Sequence, residues 1–128
     1  MKKLYQAAAF IFTMIFVSNI CSQWIIVSSG GTKDLNSITN YSATLLAVGD
    51  SGLVKKSVNL GSTWQTLPFI STVNLTGVFI TGVNDAYICG EQNMIYKTSN
   101  NGSNWFAQTT LTPGINYYAI DFINNNTG

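Results

Sequence analysis

The sequence contains no histidine and no arginine, and only 9% of its 128 residues are charged. The absence of histidine removes a common metal ligand, and a lone cysteine makes no tetrahedral ligand set. The absence of arginine removes the planar, bidentate group that binds carboxylates and phosphates, for which lysine is no equivalent. Nucleic-acid binding needs a basic surface, which so few cations do not supply. We therefore expect no metal, no cofactor and no nucleic-acid partner.

The chain also has little cationic charge outside its first residues. Lys2 and Lys3 precede an apolar run at about residues 7–17 and a small residue at Ser22, which is the layout of a secretory signal peptide. The run is too short to span a bilayer, since a span takes about 20 apolar residues. We expect a helical signal peptide at residues 1–22, cleavage after Ser22, secretion or display at a bacterial cell surface or in the periplasm, and no membrane span in the mature chain.

Cysteine is scarce, with only Cys21 and Cys89. Cleavage after Ser22 removes Cys21 and leaves one cysteine, so that no intramolecular disulfide can form. Cys89 is expected to be a small buried apolar residue. Lipidation of Cys21 is the weaker alternative, because the preceding Ile20 is bulky. The mature chain has four lysines and five acids, a net charge of −1.

A turn motif occurs twice, at a separation of 41 positions. The segment SVNLGSTW at 57–64 returns as TSNNGSNW at 98–105, and the residues before each copy match in apolar, glycine, acidic and lysine character. Self-similarity at a period near forty residues, in a chain without helical periodicity, is typical of β-propeller blades. The matched turn residues are Ser57, Asn59, Gly61 and Trp64 in the first copy and Thr98, Asn100, Gly102 and Trp105 in the second.

Each unit is predicted to contain four short strands, because segments rich in β-branched and aromatic residues alternate with Gly- and Asn-rich turns. The predicted strands are 35–39, 44–48, 53–57 and 64–67 in the first unit, and 75–81, 86–89, 94–98 and 105–108 in the second.

The sequence thus predicts an all-β chain, a partial β-propeller of four-stranded antiparallel blades of about 40 residues. Blades are expected at 35–67 and 76–108, within an incomplete propeller at residues 23–128. Trp24 lies 11 residues before Leu35, and Trp64 lies 11 residues before Leu75. This equal spacing predicts a closing strand at residues 24–27. A third blade is expected to start at 117–128, with 119–123 matching 76–80 after two extra residues near Pro113. A ring needs about four to eight blades, so downstream blades of the same chain are expected as partners.

The matched turn residues are interpreted as structural. The asparagine side chain can accept backbone N–H groups, the glycine permits a positive φ, and the serine or threonine adds a local hydrogen bond. Each tryptophan would open the outgoing strand and bury a large ring. Catalytic, cofactor-binding and metal roles are not assigned to any residue.

These motifs resemble the repeats of the photosystem II stability and assembly factor family of β-propellers. The resemblance covers nearly all of residues 24–128 and rests on GDSGLVKKS followed by NLGSTW, which is similar to the Asp-box, or BNR repeat, S-x-D-x-G-x-x-W. Both copies here have asparagine in place of the motif's aspartate, at Asn59 and Asn100. The resemblance implies a blade hairpin but no single activity, because sialidases, other glycosidases and sortilin-like receptors share the motif. The signal sequence and Asn-rich blades are also similar to Bacteroidetes proteins that use type IX secretion.

A non-catalytic module that binds a protein or a glycan is the leading functional hypothesis. Sialidases need an arginine cluster, and other glycosidases need a pair of facing carboxylates. The alternatives are a fragment of an Asp-box glycoside hydrolase whose catalytic residues lie outside this chain, and a structural spacer of a surface adhesin. The carboxylates weighed for catalysis are Asp50, Glu91 and Asp121, and the tyrosines weighed for ligand contact are Tyr41, Tyr87, Tyr96, Tyr117 and Tyr118.

Overall fold

The computed structural model describes residues 31–69, 71–110 and 112–128. The predicted signal peptide at 1–22 and the predicted closing strand at 24–27 lie outside the described residues. Within those residues the secondary structure is almost entirely β, and the single helical segment is a 3-10 turn at Asp50–Gly52. The expectation of an all-β, antiparallel fold is confirmed for these residues.

The first sheet has four antiparallel strands in sequence order: β1 (Leu35–Tyr41), β2 (Thr44–Gly49), β3 (Leu53–Ser57) and β4 (Gln65–Thr66). In the β2–β3 ladder, Val48 pairs with Val54 and Leu46 pairs with Lys56. Alternate residues of a strand point to the same face, so these four side chains share one face of the sheet.

The second sheet repeats this arrangement with β5 (Leu75–Ile80), β6 (Ala86–Gly90), β7 (Met94–Thr98) and β8 (Phe106–Ala107). Ile88 pairs with Tyr96 and Ala86 pairs with Thr98 across β6 and β7. The register shifts between Leu35 and Ser37 in the first sheet and between Leu75 and Gly77 in the second. The two sheets therefore share the same strand order and the same irregularity at the start.

The fourth strand of each sheet is shorter than predicted. Only Gln65 and Thr66 pair with β3, and only Phe106 and Ala107 pair with β7, whereas four-residue strands were expected. One further ladder hydrogen bond follows in each sheet, from Leu67 N to Val54 O (2.9 Å) and from Gln108 N to Ile95 O (2.8 Å). The outer edge of each sheet is consequently short, which limits pairing with other chains.

The two sheets pack face to face around one apolar core. The face of the first sheet that carries Val48 and Val54 meets the face of the second sheet that carries Ala86 and Ile88. Ring contacts extend this core outward, because Phe69 lies edge-on to both Tyr96 (5.2 Å) and Trp105 (6.2 Å). The buried cluster comprises Leu46, Val48, Val54, Leu67, Leu75, Val78, Ile80, Ala86, Ile88 and Trp105.

Residues 115–123 lie along the other face of the second sheet without forming a strand. The Phe122 ring stacks on Tyr87 at 4.4 Å and lies 5.6 Å from Phe79. A Cβ at Gly77 would lie only 3.1 Å from the backbone nitrogen of Ile120, so a glycine there permits the close approach. Further on, the described residues form only an isolated antiparallel bridge between Asn124 and Thr127.

The predicted alignment of 119–123 with 76–80 is wrong by one position. Asn74 Oδ1 accepts the N–H of Ser51, and Asn116 Oδ1 accepts the N–H of Gln92. Ser51 and Gln92 are 41 positions apart, whereas Asn74 and Asn116 are 42 apart. The insertion is therefore one residue rather than two, and the segment between the two units contains a turn at Gly114, which has a φ of 77°.

Candidate functional site

The first repeated turn, between β3 and β4, is closed by the side chains of Ser57 and Asn59. Ser57 Oγ accepts the N–H of Gly61 (2.8 Å) and donates to Asn59 Oδ1 (2.9 Å). The same Asn59 oxygen accepts the N–H of Thr63 (2.9 Å), and Asn59 Nδ2 donates to Thr63 Oγ1 (2.9 Å). Ser57 is only 2% exposed, so these bonds satisfy a hydroxyl that would otherwise be costly to bury.

The second repeated turn, between β7 and β8, repeats three of these four bonds. Thr98 Oγ1 accepts the N–H of Gly102 (3.0 Å) and donates to Asn100 Oδ1 (3.0 Å). Asn100 Oδ1 also accepts the N–H of Asn104 (2.9 Å). Both asparagines thus accept one backbone N–H and one hydroxyl through a single oxygen, an arrangement that needs no carboxylate.

The glycines of both turns have positive φ, as the sequence predicts, with 86° at Gly61 and 84° at Gly102. The preceding residues, Leu60 and Asn101, are also left-handed, with φ of 55° and 61°. Asparagine tolerates this conformation better than leucine does. The second turn therefore has the more favourable residue at this position.

The two tryptophans occupy matching positions, each directly before the fourth strand of its sheet. Trp105 is 9% exposed and belongs to the core between the sheets, whereas Trp64 is only half-buried. Among the described residues, Trp105 Nε1 is buried without a hydrogen-bond partner. Both rings contribute to packing. Trp105 is the more buried of the two because it lies between the sheets, where Phe69 packs edge-on against it.

An aromatic groove, which sequence reasoning missed, lies beside the second turn. It has a volume of about 240 Å³ and is lined by Pro68, Phe69, Ser103, Asn104, Trp105 and Phe106. Ligand pockets usually have volumes of about 300–1,000 Å³, so this groove suits a single ring or side chain rather than a whole cofactor. Phe106 is 61% exposed at its edge. The groove lies where residues 68–69 contact residues 103–106 of the next unit. No local sequence pattern indicates that these two segments lie together.

A second, smaller cavity lies between the sheets beside Lys56. Its volume is about 20 Å³, which is room for roughly one water molecule. Lys56 is buried, and its Nζ donates to the backbone oxygen of Asn101 at 3.3 Å across the two sheets. Burial lowers the pKa of Lys56 from its usual value. Tyr41 and Asp85 also line this cavity.

Cys89 is a free thiol in the buried part of β6, at the position that Val48 occupies in β2. Burial raises the pKa of its thiol, and hydrogen bonds from Thr76 and Gly77 only partly oppose that effect. A buried thiol with a raised pKa is a poor nucleophile, so Cys89 behaves as an apolar residue.

The carboxylates weighed for catalysis have local structural partners. Asp50 Oδ1 accepts the amide of Asn36 (2.9 Å), and Glu91 Oε1 accepts the amide of Asn74 (3.3 Å). Asp121 Oδ1 accepts the N–H of Phe122 (2.8 Å). In the part of the chain that the structure describes, no three His, Cys, Asp or Glu side chains come together as a metal site.

Three of the five weighed tyrosines are engaged in packing or hydrogen bonding. Tyr87 stacks on Phe122, Tyr96 packs against Phe69, and the Tyr117 hydroxyl donates to Asn93 Oδ1 at 3.1 Å. The other two, Tyr41 and Tyr118, are exposed.

Comparison of the chain with protein-family models, with curated proteins and with solved structures finds no match. Within residues 31–69, 71–110 and 112–128, no helix has the length and apolar character that a membrane span requires.

Proposed function

We propose that this chain is part of a secreted, non-catalytic β-propeller that binds an extended protein segment or a glycan. The observation that supports a propeller is that one set of hydrogen bonds joins successive units at two places. We call each such place a seam. The first seam joins residues 36–52 to 73–75, and the second joins residues 76–93 to 115–117.

At the first seam, the Asn36 side chain donates to Leu75 O (2.9 Å) and Gly52 N donates to Val73 O (2.8 Å). The Ser51 N–H bonds to Asn74 Oδ1 at 3.1 Å.

At the second seam, Thr76 Oγ1 donates to Tyr117 O and Asn93 N donates to Ile115 O (2.7 Å). The Gln92 N–H bonds to Asn116 Oδ1 at 3.0 Å. Each contact of the first seam has a counterpart here. Two equivalent steps in succession are what a ring of similar blades requires, which supports further blades as partners of these two.

The aromatic groove supports binding as the role. Aromatic faces with polar groups at the rim suit a sugar ring or an extended peptide, since both present apolar surface beside hydrogen-bonding groups. Phe106, which is 61% exposed, supplies most of the accessible aromatic surface, the largely buried Trp105 also lines the groove, and Ser103 and Asn104 are polar lining residues. Asp50 and Glu91 hold amides of Asn36 and Asn74, which favours a structural use of these carboxylates over a catalytic one.

Titration of the full chain with a panel of soluble oligosaccharides and extended peptides tests this function. We expect one of the two classes to bind and to change tryptophan emission, because Trp105 lines the groove. Phe106→Ala should weaken binding about tenfold, which corresponds to about 1.4 kcal/mol. Tyr118→Ala is the matched control, since Tyr118 is 76% exposed and does not line the groove. No binding in either class, or equal binding by Phe106→Ala, would contradict the proposal.

Secretion and ring closure have separate tests. N-terminal sequencing of the exported protein should begin at Gln23. Sequencing the gene beyond the codon for Gly128 should reveal further units with the Asn-x-Gly turn at intervals of about 40 residues. A mature protein that retains residues 1–22, or a gene without further units, would contradict these two parts of the proposal individually.

A further inference from the structure

The second repeated turn contains the only Asn-Gly dipeptide in the sequence, Asn101-Gly102. We propose that Asn101 is a deamidation site, and that the hydrogen bond from the Gly102 N–H to Thr98 Oγ1 keeps it unreactive while the turn is closed. The first turn has Leu60 in place of Asn101 and therefore lacks the reactive pair.

The reaction needs only the chain and solvent water. The Gly102 backbone nitrogen attacks Asn101 Cγ, the new N–Cγ bond forms, and the Cγ–Nδ2 bond breaks. The proton from the Gly102 nitrogen leaves with the side-chain nitrogen as ammonia, and a cyclic imide remains. Water then opens either imide carbonyl, which gives aspartate or isoaspartate without oxidation or reduction. Glycine favours the attack because it has no Cβ to hinder the approach.

The folded turn keeps the attacking nitrogen occupied. Gly102 is buried, and its N–H donates to Thr98 Oγ1 at 3.0 Å, with Thr98 only 1% exposed. Attack requires this nitrogen to lose its proton and to turn toward the Asn101 side chain. Both steps require the Thr98 hydrogen bond to break.

The backbone on the other side of Asn101 is also fixed. The Asn101 N–H donates to Asn84 O at 2.9 Å, and Asn101 O accepts from Lys56 Nζ at 3.3 Å. The Asn101 side chain itself is exposed, so water reaches the amide. The site therefore combines an accessible electrophile with a nucleophile that becomes available only when the turn opens.

Modification would affect the contact between the sheets. Aspartate would place a carboxylate on the residue whose carbonyl already accepts from the Lys56 ammonium. Isoaspartate would lengthen the main chain by one carbon, and Gly102 and Asn104 would no longer reach Thr98 and Asn100 in register. The isoaspartate product is thus expected to open the turn, while aspartate leaves it closed.

Peptide mass spectrometry of the full chain, incubated at mildly alkaline pH with and without urea, tests the proposal. We expect slow conversion at Asn101 in the folded chain and fast conversion in urea. Thr98→Ala should accelerate conversion in the folded chain at least about tenfold, since a hydrogen bond worth about 1.4 kcal/mol corresponds to a factor of 10. Thr98→Ser keeps the hydroxyl, as Ser57 does in the first turn, and should react at the wild-type rate.

Leu60→Asn gives an independent test, because it creates an Asn-Gly pair in the first turn, where Gly61 N donates to Ser57 Oγ at 2.8 Å. This new site should also convert slowly in the folded chain and fast in urea. Circular dichroism identifies variants that remain folded, and the comparison in Leu60→Asn stands even if Thr98→Ala unfolds. The proposal is overturned if folded and urea-unfolded chains convert at the same rate at either site, or if a folded Thr98→Ala chain reacts no faster than wild type.

Discussion

The first strands of the two sheets, β1 and β5, have the same place in the topology but different surroundings. β1 is exposed along most of its length, whereas β5 is largely buried. β5 packs against β1 and β2 on one side, and residues 115–122 lie against the second sheet on the other. Equivalent positions thus differ in burial because of their neighbours, even though strand order and register agree.

Lys56 and Lys97 show the same difference at a charged position. Lys56 lies on β3 and Lys97 on β7, and each pairs with the first residue of the fourth strand of its sheet. Lys56 Nζ bonds to Asn101 O of the next unit, while Lys97 Nζ lies 5.2 Å from the Tyr87 ring centroid within its own sheet. In the proposed propeller, the turn of a following blade would give Lys97 the carbonyl that Lys56 already has.

The largest expected effect comes from removing the tryptophans. Trp105→Ala should lower the free energy of unfolding by about 3–5 kcal/mol, because it empties a site in the core beside Phe69. Trp64→Ala should cost only about 1–2 kcal/mol, since Trp64 is half-buried. Urea unfolding of the two variants measures the difference. Equal losses of unfolding free energy would mean that the two rings are equally well packed, which would contradict the difference in their burial.

The turn glycines give a second matched pair. Both have positive φ, so alanine at either should cost about 1 kcal/mol. A Cβ at Gly102 would also overlap the Leu67 side chain, whereas a Cβ at Gly61 would have its nearest contact at 3.8 Å from Trp64. Gly102→Ala should therefore lose about 1–2 kcal/mol more than Gly61→Ala in urea unfolding. If Gly102→Ala lost no more unfolding free energy than Gly61→Ala, the Leu67 side chain must move away from the new Cβ at little cost.

Replacing Lys56 or Lys97 should change the free energy of unfolding by different amounts, and only the effect at Lys56 should depend on pH. Lys56→Met should change the free energy of unfolding by less than about 1 kcal/mol at pH 7, because an apolar side chain replaces a desolvated ammonium. Burial lowers the folded-state pKa of Lys56, so between that pKa and about 10.4 the unfolded chain binds more protons at this residue. Wild type should thus gain stability relative to Lys56→Met as pH rises through this interval.

Lys97→Met is the control, and it should lose about 0.5–1 kcal/mol with the cation–π contact. Chemical denaturation between pH 7 and pH 11 provides both measurements. A difference between wild type and Lys56→Met that stays constant with pH would contradict the lowered pKa.

The strands and turns were predictable because their signals are local. β3 and β7 have the predicted bounds, since Gly and Asn turns flank short β-branched segments. The insertion near Pro113 was misjudged, because hydrogen bonds from distant residues, at Ser51 and Gln92, fix the alignment. The aromatic groove and the Lys56 contact were missed for the same reason. Both join residues about 35–45 positions apart. The sequence around a residue does not indicate which distant residues will pack against its side chain.

The smallest expected effect concerns the left-handed residue before each turn glycine. Leu60 has a φ of 55° and is 73% exposed, so it contributes little packing to offset an unfavourable conformation. Leu60→Asn should raise the free energy of unfolding by about 0.5 kcal/mol, and Asn101→Leu should lower it by about 0.5–1 kcal/mol. Leu60→Ala is the control, since alanine keeps the Cβ and should change stability little. Thermal unfolding midpoints measure all three. If Leu60→Asn does not stabilise, the exposed leucine must contribute contacts that compensate for its backbone conformation, and the two turns would differ in more than this one residue.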